Sequence, residues 1–92
     1  MNPEYARSSA KLLVEIASSK RNSQEPVDDE TWNELLAIGN WARLHALKPS
    51  LLTDAIPLPG STRTWLIVEH AAQAILDSLN SGEEEGRNAP RN

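Results

Sequence analysis

The chain contains no cysteine and no phenylalanine. Without cysteine there is no disulfide framework and no thiolate chemistry, which excludes a small cross-linked secreted scaffold. Without phenylalanine, the large apolar surface falls to three tryptophans and one tyrosine: Trp32, Trp41, Trp65 and Tyr5. Each tryptophan can bury roughly 150–250 Å². No apolar run approaches the ~20 residues that cross a bilayer, and no secretory h-region stands near the N-terminus, so a soluble, cytoplasmic protein is expected. A basic excess is lacking too: Lys and Arg number 9 against 13 Asp and Glu, for a net charge of −4.

That acidity is unevenly placed. Over residues 1–27, Arg7, Lys11, Lys20 and Arg21 outnumber Glu4, Glu15 and Glu25. Over residues 28–80, Arg43, Lys48 and Arg63 face Asp28, Asp29, Glu30, Glu34, Asp54, Glu69 and Asp77. Nucleic-acid binders draw much of their affinity from phosphate neutralisation and show a basic face. Here the centre of the chain is its acidic part, which counts against DNA.

What is present is helical patterning. In residues 3–21, Tyr5, Ala6, Ala10, Leu12, Leu13, Ile16 and Ala17 recur at three- and four-residue steps, and Pro3 suits a first-turn position. Pro26 pushes Glu25 away from helical angles within the linker NSQEPV. Residues 28–47, DDETWNELLAIGNWARLHAL, begin with clustered acids, and Thr31 with Glu34 fits a capping box. This helix is apolar on two sides. Trp32, Leu35, Leu36, Ala42, Ala46 and Leu47 surround Gly39, whereas Ala37, Ile38, Trp41 and Leu44 form a second stripe. Such a helix is buried on two sides or breaks near Gly39; the unbroken form is expected, because interior glycine costs only about 1 kcal/mol. KPSLLTDAI, residues 48–56, reads as a short corner helix and PLPGS as a turn in which Gly60 permits positive φ.

From Thr62 a third long helix is expected. Trp65, Val68, Ala72, Ile75 and Leu79 make a two-heptad seam, with Leu76 widening it, that predicts antiparallel packing on another helix. The run TWLIV is also compatible with a short strand. Gly82 is a natural helix stop, and SGEEEGRNAPRN has too little apolar surface to order itself. The expected architecture is therefore all-α: one domain over residues 1–80, a small bundle of three longer helices plus one short corner helix, followed by a disordered acidic tail over 81–92.

Catalytic chemistry finds little support. His45 and His70 have no companion cysteine and no H-E-x-x-H spacing, so no metal site is expected. Consecutive acids at Asp28, Asp29 and Glu30 complement a helix dipole, and no glycine-rich phosphate loop or paired nucleophile and base occurs. No catalytic residue, cofactor or small-molecule ligand is assigned.

The stretch WARLHALKPSLLTDAI has the spacing of a helix-turn-helix: Ala42 at the close contact, Pro49-Ser50 opening a second helix, and Leu52, Ala55 and Ile56 facing inward. With LPGSTRTWLIVEHAAQAIL downstream, residues 40–76 resemble excisionase-type and MerR-like DNA-binding domains. That resemblance implies a transcriptional regulator in which Lys48, Ser50, Thr53 and Arg63 meet DNA. However, base readout favours Arg, Lys, Asn or Gln on the second helix, and Asp54 there would repel phosphate.

The competing reading is a non-enzymatic protein-interaction module: a small regulatory adaptor, antiactivator or inhibitor-type protein that occupies a partner's surface. Its apolar second stripe on the middle helix needs a cover, and tryptophan is enriched among binding hot spots. Trp32, Ile38, Trp41, Leu44 and His45 are the expected contact residues, with a homodimer as the simplest assembly and another protein as the other. This reading is the expectation, and DNA binding through Lys48, Ser50, Thr53 and Arg63 is the alternative.

Overall fold

The computed structural model describes residues 1–45, 52, 54–58 and 60–87, the last seven as helical backbone alone. Three helices account for most of these: α1 (Pro3–Lys20), α2 (Asp29–His45) and α3 (Trp65–Arg87). Among the described residues there is no strand, and no helix is long and apolar enough to cross a membrane.

Each start has a local cause. Asn2 caps α1, its side chain accepting the Tyr5 N–H at 2.8 Å, and Pro3 follows where an absent N–H costs nothing. For α2 the cap is Asp28, not the expected Thr31–Glu34 box: Asp28 accepts the Thr31 N–H at 3.1 Å and the Thr31 hydroxyl at 2.7 Å. Glu34 is thereby released to reach α1. Thr64 caps α3 by accepting the Ile67 N–H at 3.2 Å. This cap, together with burial of Trp65 and Val68, makes TWLIV helical despite its β-rich composition.

The chain closes as an antiparallel set. Tyr5 and Ser9, early in α1, reach Glu34, whereas Arg21, just past its end, pairs with Glu69 near the start of α3. Arg63, just before α3, pairs with Asp29 at the start of α2. The helices α2 and α3 therefore point the same way and α1 runs against both. A 17-residue α2 is about 25 Å long, and the connection from its end to the start of α3 has that distance to span. Its described part contributes Leu52 and Ile56 to the core.

The interior follows helical spacing. Ala6, Ala10, Leu13 and Ala17 come from α1; Trp32, Leu35, Ile38, Gly39 and Ala42 from α2. From α3 come Trp65, Val68, Ala71, Ala72, Ile75 and Ser78, with Leu76 and Leu79 half-buried beside them. Alanines on the inner faces of both α1 and α3 let their backbones approach closely, and this is the most extensive helix pair.

Three expectations change. No fourth helix is seen among the described residues: Ile56 N–H reaches Leu52 C=O at 3.1 Å in a single turn, and the rest of the expected corner helix, residues 48–51 and 53, lies outside them, as do Ala46 and Leu47 of the expected second helix. Gly82 does not end α3, whose backbone stays helical to Arg87. An interior glycine costs a helix only about 1 kcal/mol, which good helix formers such as Glu83–Glu85 can offset. Finally, Gly60 has no positive φ; the turn closes by Ser61 N–H to Leu58 C=O at 3.0 Å.

Gly39 sits in unbroken helix, and its role is steric. A Cβ there would lie 2.9 Å from Ile56 Cγ2 and 3.1 Å from its Cδ1. The returning connection thus rests on bare α2 backbone.

Gly39→Ala is expected to lower stability in chemical denaturation, although the same change on an open helix surface would contribute about 1 kcal/mol. Adding Ile56→Ala frees that space, so the double variant should lose less than the sum of the two singles; additive losses would show that the two positions do not compete. Ser78 offers a second check. Its hydroxyl is buried with no hydrogen-bond partner, so Ser78→Ala should raise stability by about 1 kcal/mol.

Candidate partner-binding surface

The inner face of α2 holds Trp32, Leu35, Gly39 and Ala42 at steps of 3, 4 and 3. Ile38 falls three residues after Leu35 and four before Ala42, and it turns inward with them. Of the expected contact residues, Trp32 is 1% exposed and Ile38 fully buried, so in this structure both belong to the core. Sequence spacing placed Ile38 with Trp41 because helix positions three apart adjoin; the core claims it from the other side.

Trp41, Leu44 and His45 are different. Trp41 is half-buried against the core edge, and its ring stacks on His45 with centroids 4.8 Å apart and planes 28° from parallel. Leu44 is 81% exposed, the most exposed of the large hydrophobic side chains described. Glu30, Glu34, Ala37, Trp41 and Leu44 step by 4, 3, 4 and 3, so one stripe of α2 is acidic in its first half and apolar in its second.

Beside the acidic half of this stripe, α1 and α2 leave an open groove of about 430 Å³. Tyr5, Ser9, Leu12, Leu13 and Ile16 line it from α1; Asp28, Glu30, Thr31 and Glu34 line it from the α2 side. Leu12 is 56% and Tyr5 49% exposed. The Tyr5 hydroxyl donates to Glu34 Oε1 at 3.0 Å, and the Ser9 hydroxyl donates to the same atom at 3.1 Å. That hydrogen bond and the adjacent negative charge raise the Tyr5 pKa above its ordinary 10.0. The Thr31 hydroxyl and N–H lower that of Asp28 below its ordinary 3.8. Charge placement in the sequence already suits the acidic face from Asp28 to Glu34 to a basic region on a partner, but the apolar floor beside it was missed: Leu12 read as one more apolar position of α1, and nothing local says which flank of a broad stripe stays exposed.

The residues of the DNA alternative are placed as follows. Lys48, Ser50 and Thr53 lie outside the described residues. Arg63 is engaged, forming an ion pair with Asp29 while its guanidinium lies 5.6 Å from the Trp32 ring centroid. A second hollow, about 520 Å³, lies between the described connection and α3 near Asp54, Leu66 and the exposed His70. Among the described residues no three His, Asp or Glu side chains gather closely enough to hold a metal ion. No family model, curated protein or solved structure matches the chain.

The Tyr5–Glu34 contact can be read directly, because Tyr5 is the only tyrosine. Alkaline titration of the phenolate absorbance should give a midpoint above 10.0, moving down toward 10.0 in Glu34→Ala. A raised folded pKa means that this contribution to stability is present below pH 10 and is lost as pH rises through the folded midpoint. For Asp28 the sign reverses. The stability that its cap supplies is present above pH 3.8 and is lost as pH falls through the lower folded value.

Proposed function

We propose that this chain is a non-enzymatic protein-binding module, a small regulatory adaptor or inhibitor-type protein that acts by covering a partner's surface. The observation that carries this reading is the outer end of α2, where Leu44 is 81% exposed beside the half-buried, stacked pair of Trp41 and His45. Leaving a large aliphatic side chain that exposed forgoes most of the roughly 1.5–3 kcal/mol available from its burial. The tryptophan edge next to it is the residue type most enriched among binding hot spots. Contacts would run through Trp41, Leu44 and His45, against another protein or a second copy.

Charge supports the protein reading over DNA recognition. Of the four residues assigned to DNA, Arg63 is committed to Asp29 and Trp32. The described surface of α2 begins with Asp29 and Glu30, and Glu34 follows on the same side. A duplex approaching that side would meet like charge.

Because Leu44 is so exposed, Leu44→Ser should change stability by less than about 0.5 kcal/mol. Full-length bait carrying Leu44→Ser or Trp41→Ala should lose proteins that the natural chain retains from its native cells, whereas His70→Ala bait should keep them. Binding of a short random duplex should be undetectable at low salt. Steeply salt-dependent duplex binding, unaffected by Leu44→Ser, would replace this reading with the DNA one.

A further inference from the structure

The groove between α1 and α2 carries a more specific statement about the partner, one that rests on the protein-binding reading. Its floor is apolar and open to solvent: Leu12 is 56% exposed, with Ile16 and Tyr5 on either side along α1. Its far wall is acidic, formed by Asp28, Glu30 and Glu34. Among the described residues none of these three carboxylates forms an ion pair. Asp28 is held by Thr31, Glu34 by the Tyr5 and Ser9 hydroxyls, and Glu30 by no described contact. Lys20, the cation whose field reaches Asp28, is bound to Glu25 at 3.1 Å and lies over the Trp65 ring. Arg21 and Arg63 are likewise paired, with Glu69 and Asp29. A row of carboxylates without an ion pair among the described residues therefore borders exposed apolar surface.

We infer that this groove receives an amphipathic basic helix of a partner protein, its aliphatic stripe on Leu12 and Ile16 and its Lys or Arg side chains opposite Asp28, Glu30 and Glu34. The dimensions suit a helix. From Tyr5 through Leu12 to Ile16 is eleven steps along α1, about 16 Å, which a second helix matches with anchors at i, i+4, i+7 and i+11. Strand addition needs a free sheet edge, and the described residues contain no strand. A polyproline segment needs an aromatic-lined groove, and only Tyr5 is aromatic here. A second copy of the chain fits poorly, because a two-fold contact across this groove would set Glu30 and Glu34 of both copies near one another without cations between them.

The test titrates the ¹⁵N-labelled full chain with three designed peptides of equal length. One has Leu at i, i+4, i+7 and i+11 flanked by Lys; one replaces every Lys by Glu; one keeps the basic composition but scrambles the stripe. The basic amphipathic peptide should shift the amides of Tyr5, Ser9, Leu12, Ile16 and Thr31, become helical by circular dichroism, and bind at least tenfold more tightly than either control. Glu30→Lys and Leu12→Ser should each weaken it by roughly tenfold. Asp77→Lys, the same charge change on exposed α3 surface, should weaken it by less than about twofold at 0.15 M salt, where distant charges are screened. Equal binding of the scrambled peptide, equal loss in Asp77→Lys, or no binding would overturn the inference. Shifts confined to Trp41, Leu44 and His45 would also overturn it while leaving the protein-binding reading intact. If no peptide binds and the chain instead binds duplex DNA with steep salt dependence, both readings fail together.

Discussion

Two tryptophan–cation contacts clasp the bundle at the end where α1 stops and α2 and α3 begin. Trp65 is buried, donates its indole N–H to the Glu25 carbonyl at 2.9 Å, and lies beneath Lys20, whose ammonium is 5.2 Å from the ring centroid. That one side chain joins the end of α1, the linker after it and the first turn of α3. Trp32 does the same for α2: it fills the interior, and Arg63 covers its ring while pairing with Asp29. In a chain without phenylalanine, these two rings are the largest buried units, and placing both near one end fixes the helix directions. The Trp32 indole N–H has no hydrogen-bond partner in this packing, a local cost of order 1–3 kcal/mol that the burial of the ring outweighs.

From that clasp the other features follow. With α2 and α3 starting together, the connection between them has the length of α2 to span. It can do so closely only where α2 offers no side chain, which is the role of Gly39 beneath Ile56. The connection covers one side of α2, and α1 covers part of another. What remains at least partly exposed is the stripe from Glu30 to Leu44, acidic near the clasp and apolar at the far end. The candidate surface is thus the remainder left by packing three helices and one long return around two tryptophans.

Trp41 shows how composition and packing combine to leave such a remainder. It lies on the boundary between core and solvent, and His45, four residues on, stacks on it. Leu44, one turn along the same stripe, finds no cover at all. Tyr5 and Ser9 meet the acidic half of the stripe with hydroxyls, so the polar contacts hold α1 against α2 while Leu12, further along α1, stays exposed. Rigid positioning of Glu34 by two donors keeps its charge at the groove wall without neutralising it.

Much of the helical content was legible from periodicity. Pro3, the acids at residues 28–30 and the seam from Trp65 through Ile75 mark elements whose causes are local, since caps and three- or four-residue spacing act within one or two turns. The surplus of apolar residues on α2 was legible for the same reason. What local pattern does not contain is which of two adjoining stripes meets the other helices. That choice depended on contacts from far along the chain, so only the tertiary structure drew Ile38 and Trp32 inward, left Leu44 outside, gave Gly39 its steric purpose, and brought α1 alongside three carboxylates to form a groove. Spacing along a helix is set by its own hydrogen bonds; exposure is set by what else the chain can bring to cover it.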